Sequence, residues 1–291
     1  MVDVERSEGS SHLLPSGVNR EIFANAIVPG FYRNCGVAPI PIAHFFAGQP
    51  GAGKTKMEGA TIAALEADGG KDSVAIISLD DYRPFHPMHR ELLVADEETA
   101  GAAINQDCWL WSEQAKEYVI DSHFNVVQEG TFRDPAATLT DAGRYLEAGY
   151  STEFHVAAVH PFISRLRYLT RYVREVELDG YGRLVPRELH DHACQQLPES
   201  VATVAEAGMF EAILVHDDRG DIVARVEFDD PDAVTKLMSV ISGQRSVEGL
   251  DFEGLLDEIE MVMERARVVG RDMAVGELQA LREDVLAARA R

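Results

Sequence analysis

Short apolar runs recur along the chain, separated by longer mixed segments. "IAHFFAG" (42–48), "SVAIISLDD" (73–81), "NVVQEGT" (125–131), "EFHVAAVH" (153–160) and "AILVHDD" (212–218) are rich in Val, Ile, Phe and Ala. Continuous apolar runs of this length fit strands buried on both faces. Each intervening segment is long enough for a helix, so the expected architecture is a mostly parallel sheet flanked by helices. "GDIVARVEF" (220–228) follows the turn "DDRG" and reads as a hairpin partner that adds an antiparallel edge. Upstream, "NREIFANAIVPGFY" reads as a helix with Pro29-Gly30 near its end. From about residue 231 the pattern changes. "DFEGLLDEIEMVMERARVVG" and "RDMAVGELQALREDVLAARAR" are amphipathic helical segments with Gly270 between them. The expected organisation is a loose tail over 1–18, an α/β domain over 19–230 and a C-terminal helical extension over 231–291.

Composition narrows the partners. The chain has 291 residues, 46% of them hydrophobic, and a formal net charge of -22. That balance repels a phosphate backbone and argues against general nucleic-acid binding, while leaving room for a local basic pocket. Cys35, Cys108 and Cys194 are scattered and form no CxxC pair, so neither a disulfide framework nor a cysteine zinc site is expected. His86 with His89, and His190 with His192, lack the third ligand and strand context that zinc demands, so these pairs point to no metal site. The first thirty residues carry early charges and no compact apolar stretch, and no run approaches a membrane span. A cytoplasmic protein without membrane attachment is the expectation.

The first chemistry-bearing motif is Gly48-Gln49-Pro50-Gly51-Ala52-Gly53-Lys54-Thr55, placed between an apolar run and the helix-like "KTKMEGATIAALEAD". Such a loop lets successive backbone N–H groups point at phosphate oxygens, helped by the positive end of the helix. Lys54 would reach the β- and γ-phosphates, and the Thr55 hydroxyl would join a magnesium shell. No tetrapeptide of the kind that reads guanine is present, which leaves ATP as the expected nucleotide.

Further candidates fall at the ends of the other strands, where open α/β sheets bind ligands. Asp80 follows "SVAIISL" and suits a general base that takes a proton from an acceptor hydroxyl; a helix-capping or turn aspartate is the plainer reading. Glu129 follows "NVVQ" and either holds magnesium or a substrate hydroxyl or pairs with Arg133, itself counted among the substrate-binding candidates. Arg167, Arg171 and Arg174 share one helical face, and Arg183 lies in the loop beyond. They read either as a lid over a transferring phosphoryl group or as a solvated face paired with Glu175 and Glu177. Glu113 lies on a predicted helix beside Trp109 and Trp111 and is either a ligand or a surface position.

Taken in order, these elements resemble the zeta-toxin family of P-loop kinases. The likeness comprises GQPGAGKT (48–55), a D-x-[FY]-x-x-x-H-P element from Asp80 to Pro87, and EGT as Glu129-Gly130-Thr131. It continues through Arg171-Tyr172 and an R-x-x-P-x-x-x-H-D element from Arg183 to Asp191, and covers about residues 18–228. The resemblance implies a P-loop kinase fold and a kinase that uses ATP and Mg2+ to phosphorylate the 3′-hydroxyl of the amino sugar in UDP-N-acetylglucosamine, held in check by an antitoxin. It implies that Lys54 and Thr55 serve phosphates and magnesium, and that Asp80 is the base. It places Glu113, Glu129 and Thr131 around the sugar nucleotide, with Arg171 and Arg183 clamping phosphates. Departures are Asp81, a second acid beside Asp80, and Phe132 and Pro135 in the substrate region. The competing expectations are a kinase of another hydroxyl acceptor, such as an antibiotic or nucleoside, and an ATP-binding regulatory protein without turnover.

Overall fold

The computed structural model describes residues 12–228 and 231–290. The expected loose tail lies, for residues 1–11, outside the described residues. Helix α1 (Ser16–Ile22) runs into wider π-type turns over Phe23–Tyr32, which let the helix continue through Pro29. The order is then β1 (Ile42–Ala47), α2 (Lys54–Gly69), β2 (Ala75–Ile77), α3 (Leu79–Tyr82), α4 (His89–Ala95), α5 (Ala100–Ala103) and α6 (Asn105–Ser122). Next come β3 (Val126–Gly130), α7 (Pro135–Glu147), β4 (Ser151–Ala157), α8 (Pro161–Asp179), α9 (Arg187–Glu206), β5 (Ala212–His216) and β6 (Ile222–Val226). Helices α10 (Ala233–Gln244), α11 (Phe252–Val268) and α12 (Asp272–Arg289) close the chain.

The sheet order is β2-β3-β1-β4-β5-β6. The first five strands in that order are parallel and β6 is antiparallel at the edge. Strand β1 is central, with β3 on one side and β4 on the other, so the loop after β1 opens where the winding reverses. Burial explains the continuous apolar runs: every residue from Ala43 to Ala47 is buried, as is all of β5. The edge strand β6 exposes Ile222 and Val223 instead. β2 is shorter than its sequence run because the chain turns at Ser78 into α3, which carries Asp80 and Asp81 away from the sheet.

One face of the sheet packs on α6, α7, α9 and α10 through Phe45, Trp111, Tyr145, Phe154, Val201 and Leu237. The other face packs on α2 through Phe46, Met57 and Val127. A separate apolar cluster joins α8 to the α11–α12 hairpin, with Leu169, Val173, Ile259, Val262, Leu278 and Leu281 all essentially inaccessible. That cluster also takes in Leu184 and Val185, from the loop that follows α8. Among the described residues no helix is long and apolar enough to cross a membrane.

Candidate active site

The phosphate loop spans the gap between Ala47 and Lys54. Gly51 and Gly53 hold φ angles of 78° and 86°, a region that side chains with a Cβ rarely adopt. Gly51 has no spare space either: a Cβ there would lie 2.0 Å from the Ser164 carbonyl oxygen in α8. Gln49 is fully buried and pins the loop. Its Nε2 donates to the Val159 carbonyl at 2.8 Å and to Ser164 Oγ at 3.2 Å, while its Oε1 accepts from Arg245 Nη1 at 3.1 Å. The loop ends at the N-terminus of α2, where free N–H groups and the helix dipole favour an anion. Lys54 Nζ donates to the Gly48 carbonyl at 3.2 Å and faces Glu129 at 3.4 Å, and Thr55 is exposed in the same turn.

Carboxylates gather opposite this loop. Glu58, one turn beyond Lys54 on α2, is buried and its Oε1 has no partner. Burial first, then the charge of Glu129, pushes Glu58 up to about 8 against the pull of Lys54. Asp81 is pushed up to about 6 by burial, Glu129 and Asp80. Asp80 differs. Its position in the cleft pushes its acidity the same way, but Arg183 and Arg83 outweigh that and hold the carboxyl well below the usual carboxylate range. Arg83 Nε donates to Asp80 Oδ1 at 2.9 Å and Arg183 Nη1 meets the same oxygen at 2.5 Å. Both guanidiniums lie against Gly101 of α5, where a Cβ would stand 3.0 Å from Arg83 Nη1 and 3.4 Å from Arg183 Nε.

The loop that carries Arg183 is held from three sides. The Arg183 N–H donates to Glu175 Oε2 at 2.9 Å and the Gly182 N–H to Glu97 Oε1 at 3.1 Å. Tyr172 donates its hydroxyl to Glu97 Oε2, and Arg271 of the C-terminal hairpin donates to Glu97 Oε1 at 3.1 Å. Thus the hairpin touches the arginine loop through a shared carboxylate, through the Gly180 carbonyl, which accepts from Arg271 Nη2 at 2.7 Å, and through Leu184 and Val185.

The remaining candidates are more dispersed. Arg171 is half exposed and pairs with Glu175 at 3.6 Å, so it adjoins the Arg183 loop through that glutamate. Arg167 pairs instead with Asp218 at 3.2 Å and reaches within 3.8 Å of a Cβ position on Gly53, nearer the phosphate loop than Arg171 is shown to be. Glu113 sits among cations, paired with Lys116 and, at 2.9 Å, with Arg144. Lys116 in turn bonds Asp141 at 2.9 Å, which accepts from Gln128 of β3. Thr131 is half-buried at the end of β3, and Arg133 is exposed, with its carbonyl accepting from Ser200 Oγ at 3.0 Å. Phe132 between them holds φ at 47° and packs its ring on Phe45 and Phe154, so the departure at this position is a core anchor for the EGT turn. Its ring lies against Gly130, where a Cβ would meet it at 3.1 Å. Four contributors were not assigned from sequence: Arg83, Glu58, Arg245, and Asp218, which pairs with Arg167. Only Glu58 left a direct signal, its i+4 spacing from Lys54.

A phosphate loop at the switch point of a parallel sheet, facing carboxylates and arginines, defines a P-loop protein of the kinase-like class. The family model described as zeta toxin matches residues 35–225. The chain belongs to the zeta toxin family. It is 26% identical over 224 residues to toxin zeta of Enterococcus hirae, covering 77% of this chain and 76% of that protein. It is 26% identical over 177 residues to toxin PezT of Streptococcus pneumoniae serotype 4, covering 60% of this chain and 68% of that one. Among solved structures, the PezAT chromosomal toxin–antitoxin system of Streptococcus pneumoniae superposes with a TM-score of 0.73 at 19% identity, over 89% of this chain and 98% of that one. AvrRxo1-ORF1:-ORF2 with ATP superposes with a TM-score of 0.51 at 15% identity, over 92% and 87%. At such identities these two likenesses concern the fold.

Proposed function

We propose that this protein is an ATP-dependent small-molecule kinase that transfers the γ-phosphoryl group to the 3′-hydroxyl of UDP-N-acetylglucosamine, and that an antitoxin protein restrains it. The observation that carries the kinase reading is Asp80, a carboxylate held by Arg83 and Arg183 in the same cleft as the Lys54 loop. An NTPase that only hydrolyses needs a residue to orient water. A base flanked by cations suits transfer to a bound alcohol.

In this reading Asp80 accepts the proton of the acceptor hydroxyl, whose oxygen attacks the γ-phosphorus as the bond to the β-phosphate oxygen breaks. Arg183 exchanges its contact with Asp80 for the transferring phosphoryl oxygens. That exchange has two effects at once. It places positive charge where the transition state needs it, and it removes one of the two cations that keep Asp80 weakly basic. Lys54 neutralises charge on the β- and γ-phosphates, and Arg171 adds to the field from the rim. Thr55, Glu58, Glu129 and Asp81 offer the hard oxygens that Mg2+ prefers, and the unpartnered buried oxygen of Glu58 fits such a cation. When bound, Mg2+ supplies charge neutralisation on the phosphates. In this reading Glu113, Glu129, Thr131 and Arg133 serve the acceptor side.

The test is incubation of the full chain with ATP, Mg2+ and a panel of sugar nucleotides, nucleosides and aminoglycosides, followed by mass spectrometry. A gain of one phosphate on UDP-N-acetylglucosamine is expected; a gain only on another member moves the acceptor, and ATP binding with no product removes the kinase reading. Asp80→Asn is expected to keep nucleotide binding and lose transfer by about 10²-fold or more. Because Asp81 is pushed up to about 6, it is the competing base. An acid limb near pH 6 that disappears in Asp81→Asn, with transfer intact in Asp80→Asn, reverses the assignment.

A further inference from the structure

Away from the phosphate loop, two neighbouring strands bring three ligand atoms to one point. His44 of β1 stands opposite Glu153 of β4 in the sheet register, and His155 is two residues further along β4 on the same face. His44 Nδ1 and His155 Nε2 are 3.0 Å apart, Glu153 Oε2 is 3.4 Å from the first and 3.8 Å from the second. These are the spacings of donors around one small cation: ligands about 2.0–2.1 Å from a tetrahedral zinc lie roughly 3.3 Å from each other. The sequence gives little hint of this group, since its members are 111 residues apart and meet only through strand register.

The surroundings are those of a ligand set and not just of three neighbours. His155 Nδ1 is 3.0 Å from His216 Nε2 on β5, and His216 Nδ1 is 3.1 Å from the Gly220 carbonyl. A carbonyl can only accept, so His216 carries its proton on Nδ1 and presents a lone pair to His155. His155 therefore carries its proton on Nδ1 as well, and its Nε2 lone pair faces Glu153 and His44. Glu153 is oriented in the same way: Arg225 Nη1 donates to its Oε1 at 2.7 Å and leaves Oε2 toward the imidazoles. Partners behind the ligands that fix tautomer and carboxylate direction are a regular feature of protein metal sites. Binding requires one rearrangement, transfer of the His44 proton from Nδ1 to Nε2, with no net proton release. His155 is nearly sealed at 2% exposure, whereas Glu153 keeps 14%, so the carboxylate edge is the way in.

We infer that His44 Nδ1, Glu153 Oε2 and His155 Nε2 form a binding site for a single borderline divalent transition-metal ion of the zinc type, completed by solvent. Two nitrogens and one oxygen suit Zn2+ far better than Mg2+. The site is structural and separate from the phosphotransfer cleft. His44 precedes Gly48 by four residues, roughly 13 Å along a strand. The ring of His155 stacks on Phe46 at 4.2 Å, and Phe46 is two residues before the phosphate loop. A bound ion would staple β1 to β4 directly beneath that loop.

The experiment is equilibrium dialysis of the full chain against Zn2+ in the presence of excess Mg2+, read by elemental analysis. One Zn2+ per chain is expected, with affinity falling at least about 10²-fold in His44→Gln and in Glu153→Gln. Arg225→Ala, which removes only the orienting partner, is expected to cost about 10-fold. Zinc uptake that is absent, or equal in wild type and variants, overturns the site. Should a variant fail to fold, the visible spectrum of the Co2+-loaded wild type decides: an imidazole–oxygen spectrum supports the site. A thiolate charge-transfer band would place the ion at Cys194 beside His190 and overturn it.

Discussion

The fold contains two apolar cores, one on the sheet and one between α8 and the C-terminal hairpin, and they are built differently. The sheet core is aromatic and almost free of charge: Phe45, Phe132, Phe154, Phe210 and Tyr145 touch ring to ring. Two histidines buried on the opposite sheet face are kept neutral, with burial lowering His44 to about 4 and His155 further. The core between α8 and the C-terminal hairpin is aliphatic and ringed by ion pairs. Arg165 reaches Glu277 at 2.7 Å and Asp284 at 3.0 Å, Arg187 shares Asp284 at 3.1 Å, and Arg265 meets Glu177 at 2.6 Å. One core holds the phosphate loop and Asp80 in place; the other holds the loop that carries Arg183. In the proposed mechanism this division separates the donor loop and the base from the arginine that neutralises the transferred charge.

The comparison breaks most sharply with large deletions in each core. Phe210→Ala is expected to lower unfolding free energy by about 3–5 kcal/mol, measured by urea denaturation, with turnover per folded molecule little changed. Leu278→Ala is expected to cost about 2–4 kcal/mol by the same measurement. It should also lower kcat/KM per folded molecule, because Leu184 and Val185 lose their support next to Arg183. Equal catalytic effects from the two variants would erase the distinction.

Acid separates the cores at a smaller scale. A histidine whose folded value lies below the ordinary 6.5 takes a proton more readily when unfolded. Stability therefore holds above about pH 6.5 and declines as the pH falls from there toward 4. By pH 5.5 the loss is about 1 kcal/mol for His44. A His44→Phe variant should lose that slope in denaturation measured from pH 7.5 to 5.5. The smallest effect expected is Arg265→Ala, below about 1 kcal/mol, because its pair with Glu177 is one-third exposed. Half-molar salt should abolish even that difference, and a larger, salt-resistant loss would mean that the rim contributes more than exposed pairs do.

Much of the sheet core was legible because its strands are buried on both faces and so read as unbroken apolar runs. The phosphate loop was legible because a strand and a helix flank it at the required spacing. What escaped depends on long-range meeting. Asp80 and Arg183 were both singled out, but nothing in either neighbourhood says that they share one oxygen atom, 103 positions apart. Helix α10 falls within the expected helical extension, but nothing in its sequence says that its last turn leads to Arg245, which reaches back to Gln49 at 3.1 Å. Glu113 reads equally well as a ligand or a surface acid until Lys116 and Arg144 are placed beside it. The histidine row is the extreme case, since strand register alone aligns its members.

The contact between Gly51 and Ser164 has a mechanical consequence. With a carbonyl oxygen 2.0 Å from where a Cβ would stand, the loop and α8 have no clearance between them. Neither can slide toward or away from the other without a clash or a void. The cradle and the helical arginines therefore behave as one rigid body with a fixed spacing. Any travel that brings guanidinium to phosphate must be supplied by side-chain rotation, because the segment bearing Arg183 is itself tied to Glu97 and Glu175.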